Sequence, residues 1–148
     1  MRAVAEPDAE AVLRSMVQAV DVPVVVHCCA AEVPVAMAHR AGAAAVSLDL
    51  AVAHLDLDVL GPAVEAGLQL WAGVVPALGP GVPPSPRDVV EPVRRLWRDL
   101  GLPAEQLLDR VALTPACGLA GASSGWARTA MQLVRQAARV LAEEPARA

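Results

Sequence analysis

The sequence predicts an α/β fold built on one parallel sheet of four strands. Three observations carry this reading. Four short apolar runs, at residues 22–28, 44–50, 68–75 and 110–113, read as strands, the first of them buried on both faces and the second also buried. The segments between them repeat apolar residues at helical spacing. Regular alternation of the two kinds implies parallel pairing through right-handed crossovers.

Each element has its own justification. Residues 7–20 place Val12, Leu13, Met16, Val17 and Val20 at helical spacing, and Pro7 suits a first helical turn. Residues 22–28 (VPVVVHC) are short, apolar and β-branched, which favours a strand. Residues 32–41 read as a helix closed by Gly42. Residues 44–50 (AAVSLDL) form the second strand, 57–66 a helix stopped by Gly67, and 68–75 (LQLWAGVV) the third strand. PALGPGVPPSP is a long surface loop for so compact a unit. Residues 87–100 gather Val89, Val90, Val93, Leu96, Trp97 and Leu100 on one side of a helix that Gly101 ends. Residues 104–108 make one helical turn and 110–113 the fourth strand. After the loop TPACGLAGASSG, a helix runs over 126–143, capped by Ser123 or Ser124.

Composition removes several function classes. The 148 residues amount to one domain. Hydrophobic residues make up 55% of the chain, too many for disorder. A net charge of −4 lacks the footprint of a nucleic-acid binder, and three Trp with no Tyr or Phe give few platforms for stacked bases. No apolar run is long enough to span a membrane: residues 41–53 carry Asp49, and 60–84 are interrupted by Glu65, Pro and Gly. The N-terminus turns acidic where a signal peptide turns apolar, so a cytoplasmic protein is expected. There is no Gly-x-Gly-x-x-Gly and no phosphate loop, and the prolines around Gly79 and Gly81 remove amides that would hold phosphate.

Two architectures accommodate this order. One is a free-standing doubly wound sheet of four strands. The other is half of an eight-stranded βα barrel, whose full form takes about 250 residues. In both, function lies beyond the C-terminal ends of the strands. That rim carries metal-ligand residue types: His27, Cys28 and Cys29 after the first strand, Asp49 after the second and Cys117 after the fourth. Residues two apart share a strand face, so His27 and Cys29 can serve one ion while Cys28 points away. Two thiolates and one imidazole suit zinc, with Asp49 as a fourth ligand that yields to substrate. His39 and His54 read as solvated or structural, the three Trp as packing, and Arg94, Arg95 and Arg98 as one solvated helix face.

These residues also resemble a known family. VVVHCCAAEVPVAMAHRAGAAAVSLDL followed by LTPACGLAGAS is similar to the zinc-binding catalytic barrel domain of cobalamin-independent methionine synthases, and in particular to short actinobacterial proteins of that type. Matched motif to motif, His27, Cys29 and Cys117 fall on the family's zinc ligands. Asp49, in VSLD, falls where the larger enzymes have a glutamate, with a shorter carboxylate arm.

The resemblance implies that residues 1–148 form the C-terminal half of a TIM barrel. It also implies zinc as cofactor, a homocysteine-like thiol as methyl acceptor and a methyltetrahydrofolate as donor, in methionine biosynthesis. The family's upstream half holds the amino acid and much of the folate site, so a homodimer or a separate partner is expected to supply that half. Two other readings stand beside this one: a zinc-binding or thiol-carrying scaffold without catalysis, and a barrel decarboxylase-like protein that acts on tetrapyrroles without zinc. Geometry sets a condition on the metal site. With strands about 4.8 Å apart, a flat sheet puts the fourth strand roughly 14 Å from the first, far beyond zinc–ligand bonds of about 2.0–2.3 Å. Barrel curvature and an inward fold of the Cys117 loop are needed to close it.

Overall fold

A computed structural model describes residues 4–144. Among these, α1 (Glu6–Gln18) is followed by β1 (Val25–Cys28), α2 (Val35–Arg40), β2 (Ala45–Asp49), α3 (Leu57–Glu65) and β3 (Gln69–Val75). Then come α4 (Pro86–Leu100), a short 3-10 turn (Ala104–Gln106), α5 (Leu107–Arg110), β4 (Val111–Pro115) and α6 (Ser124–Glu143). All three strand pairings are parallel, in the order β1-β2-β3-β4.

That strand order decides between the two architectures. It never reverses, so crossovers of one hand place every connecting helix on the same face of the sheet. The doubly wound alternative needs a reversal and is excluded. Burial agrees. Val46, Leu48, Leu70 and Ala72 point into the helix layer and are each at most 1% exposed. On the other face His27 and Gln69 are exposed, and Trp71, Ala112 and Thr114 are half-buried. The expectation of burial on both faces is corrected for the first strand, whose His27 is exposed, whereas β2 is buried from Ala45 to Leu48 as expected; one face of the sheet lies under helices and the other, which would be a barrel's interior, is open at His27 and Gln69.

The helices follow their sequence signals with small adjustments. In α4 the stripe Val89, Val90, Val93 and Trp97 is buried against the sheet and α6. Its start is a reciprocal cap: Ser85 Oγ accepts from Asp88 N–H, and the Asp88 carboxylate accepts from Ser85 N–H. The Ser85 hydroxyl, and after it the Ser85 amide, hold the Asp88 carboxyl below its usual range. Gly101 ends the helix at a φ of 66°, a left-handed turn that suits glycine. Ser123, rather than Ser124, caps α6 by accepting from Trp126 N–H. Trp97 and Trp126 are packing residues as expected, each buried with its indole N–H donated to a backbone carbonyl, of Pro103 and Pro76 respectively.

Two helices depart from expectation. Arg94 does not share the solvated face of Arg95 and Arg98. It is 4% exposed, because helical spacing sets it with Val90, Val93 and Trp97 toward α6. Its guanidinium donates to the carbonyls of Glu144 (2.9 Å) and Val140 (3.4 Å), which caps the C-terminal end of α6. Arg94→Ala is expected to lower unfolding stability by about 1–3 kcal/mol, read from the urea midpoint; an unchanged midpoint would refute this role. In α1 no residue is fully buried, and Val12 and Met16 are exposed. Leu13 and Val17 turn toward α2, and Arg40 of α2 reaches back to Glu6 and Glu10.

Candidate metal centre

The open face and the C-terminal rim meet at one cluster. His27, the third residue of β1, pairs in register with Ser47 of β2, so its imidazole stands on the open face. Its Nδ1 lies 3.1 Å from Ser47 Oγ. Cys29 follows directly after β1, and Cys117 follows β4. The ligand-type atoms of His27, Cys29 and Cys117 all lie within 4.8 Å of one another, so they could hold a metal ion. A nitrogen and two sulfurs form a soft donor set of the kind that zinc takes. The three thiols of the chain are free, Cys28 included.

The path of the chain after β4 explains how Cys117 reaches β1. Pairing between β3 and β4 shifts register between Gly73 and Val75, and Ala116 N–H then donates to Val75 O at 2.8 Å. This turn carries the backbone over the end of β3. Gly73 makes it possible: a Cβ there would lie 2.5 Å from Leu48 O and 2.6 Å from Ala116 Cα. With no side chain at Gly73, Ala116 settles over the sheet and Cys117 is delivered inward. The roughly 14 Å expected of a flat sheet is closed in this way.

The Cys117 thiol beside Cys29 pushes the Cys29 pKa up, first through a hydrogen bond and then through like charge, and partial desolvation adds to it. The shift favours the protonated form of Cys29, and a metal must displace that proton to bind there.

The other expected residues fall elsewhere. Cys28 turns away, its thiol 3.9 Å from the carbonyl of Glu32. Asp49 stands at the end of β2, outside the three-residue group, and its Oδ1 accepts from Ala51 N–H at 3.0 Å. It lines a separate cavity of about 160 Å³ with Gly73, Val75 and Ala116. His54 is exposed and paired with Glu32 at 3.1 Å, where the two loops above β1 and β2 also meet in a single bridge. His39 lies in the last turn of α2.

Three residues near the cluster were not singled out as site residues in the sequence. A cavity of about 340 Å³ on the open face is lined by His27, Cys117, Ser47, Trp71 and Thr114, among others. Trp71, expected to be packing, sits half-buried here instead. Thr114 Oγ1 is buried and has no hydrogen-bond partner among the described residues. The signal was present as period-two alternation, because Ser47 shares its strand face with Asp49 and pairs with both His27 and Trp71.

No helix among the described residues is long and apolar enough to cross a membrane. No curated protein matches the sequence. Among solved structures, the chain is similar to a B12-independent methionine synthase from Shewanella sp. W3-18-1, solved in complex with selenomethionine. The TM-score is 0.71 at 14% identity, so the likeness is one of fold. It covers 91% of this chain but 43% of that one, so the chain spans less than half the length of the protein it matches. The family profile of the cobalamin-independent synthase catalytic domain matches residues 3–140. With nearly its whole length matched, the chain belongs to the cobalamin-independent synthase catalytic-domain family.

Proposed function

We propose that this chain is the zinc-carrying half of a methyltransferase barrel that moves a methyl group from a methyltetrahydrofolate to a homocysteine-like thiol. The observation that carries the reading is the convergence of His27, Cys29 and Cys117 within 4.8 Å, at the rim where barrel enzymes keep their chemistry. His27, Cys29 and Cys117 are the ligands in this reading. Asp49, on the same strand face as Ser47 but outside the group as it stands, is the displaceable fourth ligand in this reading and must leave Ala51 N–H to reach the ion. A bound zinc supplies Lewis acidity that keeps an acceptor thiol deprotonated at neutral pH.

The chain's residues do the rest. The cavity beside Trp71 and Thr114 gives the acceptor a place next to the cluster. The acceptor sulfur then attacks the methyl carbon, a sulfur–carbon bond forms, the carbon–nitrogen bond breaks, and the folate nitrogen takes up a proton. Free thiols as ligands suit a reducing, cytoplasmic setting.

The same reading includes an association that covers the open face, as a homodimer of half-barrels or with a separate polypeptide. Val12, Met16, Val20 and Val22 are exposed on the approach to β1, whose outer edge is unpaired among the described residues. The groups that hold the amino acid and the folate come from that second half.

Metal content and solution mass, taken on one sample, test the proposal. About one zinc per chain is expected. Homocysteine should then change the coordination seen by X-ray absorption, with a new sulfur entering the shell. A chain that excludes zinc would overturn the reading. Bound zinc that ignores homocysteine would make the site a closed structural one.

A further inference from the structure

We propose that Ser47 is a positioning residue for this centre: its hydroxyl holds the His27 ring by Nδ1 and so leaves Nε2 as the nitrogen offered to a metal. The assignment rests on the reading of His27 as a ligand and goes beyond it, because it selects the ligating atom and names the residue that selects it.

An imidazole binds a metal in its neutral form, through the nitrogen that carries no proton. The ring proton then sits on the other nitrogen and needs an acceptor, which fixes both tautomer and ring plane. Ser47 Oγ is 3.1 Å from His27 Nδ1. The two residues are register partners on adjacent strands, so backbone pairing rather than side-chain reach sets their separation. Ser47 is 8% exposed, although it lies on the open face of the sheet. A serine hydroxyl can accept the Nδ1 proton while its own hydrogen stays free to donate.

Register makes the contact selective. His27 is exposed and Ser47 lines the open-face cavity, so water can reach Nδ1 once the hydroxyl is gone, but a water does not fix the ring plane as a strand-held hydroxyl does. The ring would then be free to flip and to offer either nitrogen. Ser47→Ala therefore weakens the site while all three ligand residues remain in place.

The test uses the full chain, with zinc affinity measured by competition against a chromophoric chelator. Ser47→Ala is expected to lose roughly 10–100-fold in affinity, and Ser47→Thr, which keeps the hydroxyl, to recover most of it. The thermal midpoints of the metal-free chains should agree, which separates this role from a structural one. Nitrogen-15 spectra of the zinc-loaded wild type should show His27 with a protonated Nδ1 and a metal-bound Nε2. Metal at Nδ1 would overturn the assignment, as would wild-type affinity in Ser47→Ala or no rescue by Ser47→Thr. A wild-type chain that takes up no zinc would overturn the metal-centre reading and this assignment together. A zinc-binding wild type with an unaffected Ser47→Ala would overturn this assignment alone.

Discussion

Cys117→Ser is expected to abolish tight zinc binding, whereas Cys28→Ser should leave it unchanged. Serine keeps the size of the side chain but replaces a soft thiolate with a hydroxyl that stays protonated at neutral pH. The donor set then falls from one nitrogen and two sulfurs to one of each, and the site is left open on the side of β4. The loss should exceed the roughly hundredfold that follows removal of an outer partner. Cys28 is the internal control. It neighbours both His27 and Cys29 in sequence, yet its thiol lies 3.9 Å from the carbonyl of Glu32, on the other side of the strand. Equal losses from the two variants, measured by chelator competition, would refute the assignment of ligands by strand face. Retained affinity in Cys117→Ser would remove Cys117 from the site.

Gly73→Ala should damage the same site from a residue that touches no metal. The added methyl group would meet Leu48 O at 2.5 Å, Ala116 Cα at 2.6 Å and Pro115 O at 3.2 Å. All three contacts are with main chain, which cannot swing aside as a flexible side chain can. Overpacking of this kind costs about 1–3 kcal/mol and sometimes more. Relief comes most directly by lifting the segment at Ala116, and Cys117 moves with it. The expected result is a folded chain with a lower thermal midpoint and a zinc affinity reduced as in Cys117→Ser. Gly81→Ala is the matching control, because a Cβ there meets nothing within 4 Å. If Gly73→Ala keeps both wild-type stability and wild-type affinity, the close approach over β3 is not what delivers Cys117.

Much of the fold was legible because its signals are local. Apolar runs marked the strands within a few residues at each end, and Gly42, Gly67 and Gly101 marked where helices stop. The ends that moved did so for local backbone reasons. The first strand begins at Val25 rather than at residue 22, because Pro23 has no N–H to give a neighbouring strand. The second helix begins at Val35 rather than at residue 32, because Glu32 is drawn into a bridge with His54. Arg94 was misplaced because a charged residue on a helix reads as solvated until its neighbours are known. What buries it is the end of α6, distant in sequence, whose unpaired carbonyls need a donor.

The candidate site divides along the same line. Period-two alternation in a strand is a property of the backbone, so the sequence by itself put His27 and Cys29 on one face and Cys28 on the other. The alternation of strand and helix likewise determined a parallel sheet with chemistry at its C-terminal rim. Residue types and the family resemblance already set Cys117 beside them; only the tertiary structure decided how Cys117 crosses the sheet to reach them, that Ser47 sits behind His27, and that one face of the sheet stays open. These depend on strand order, on register between strands and on the close approach of Ala116 to Gly73. Such contacts join residues far apart in the chain, and no local preference encodes the distance between them.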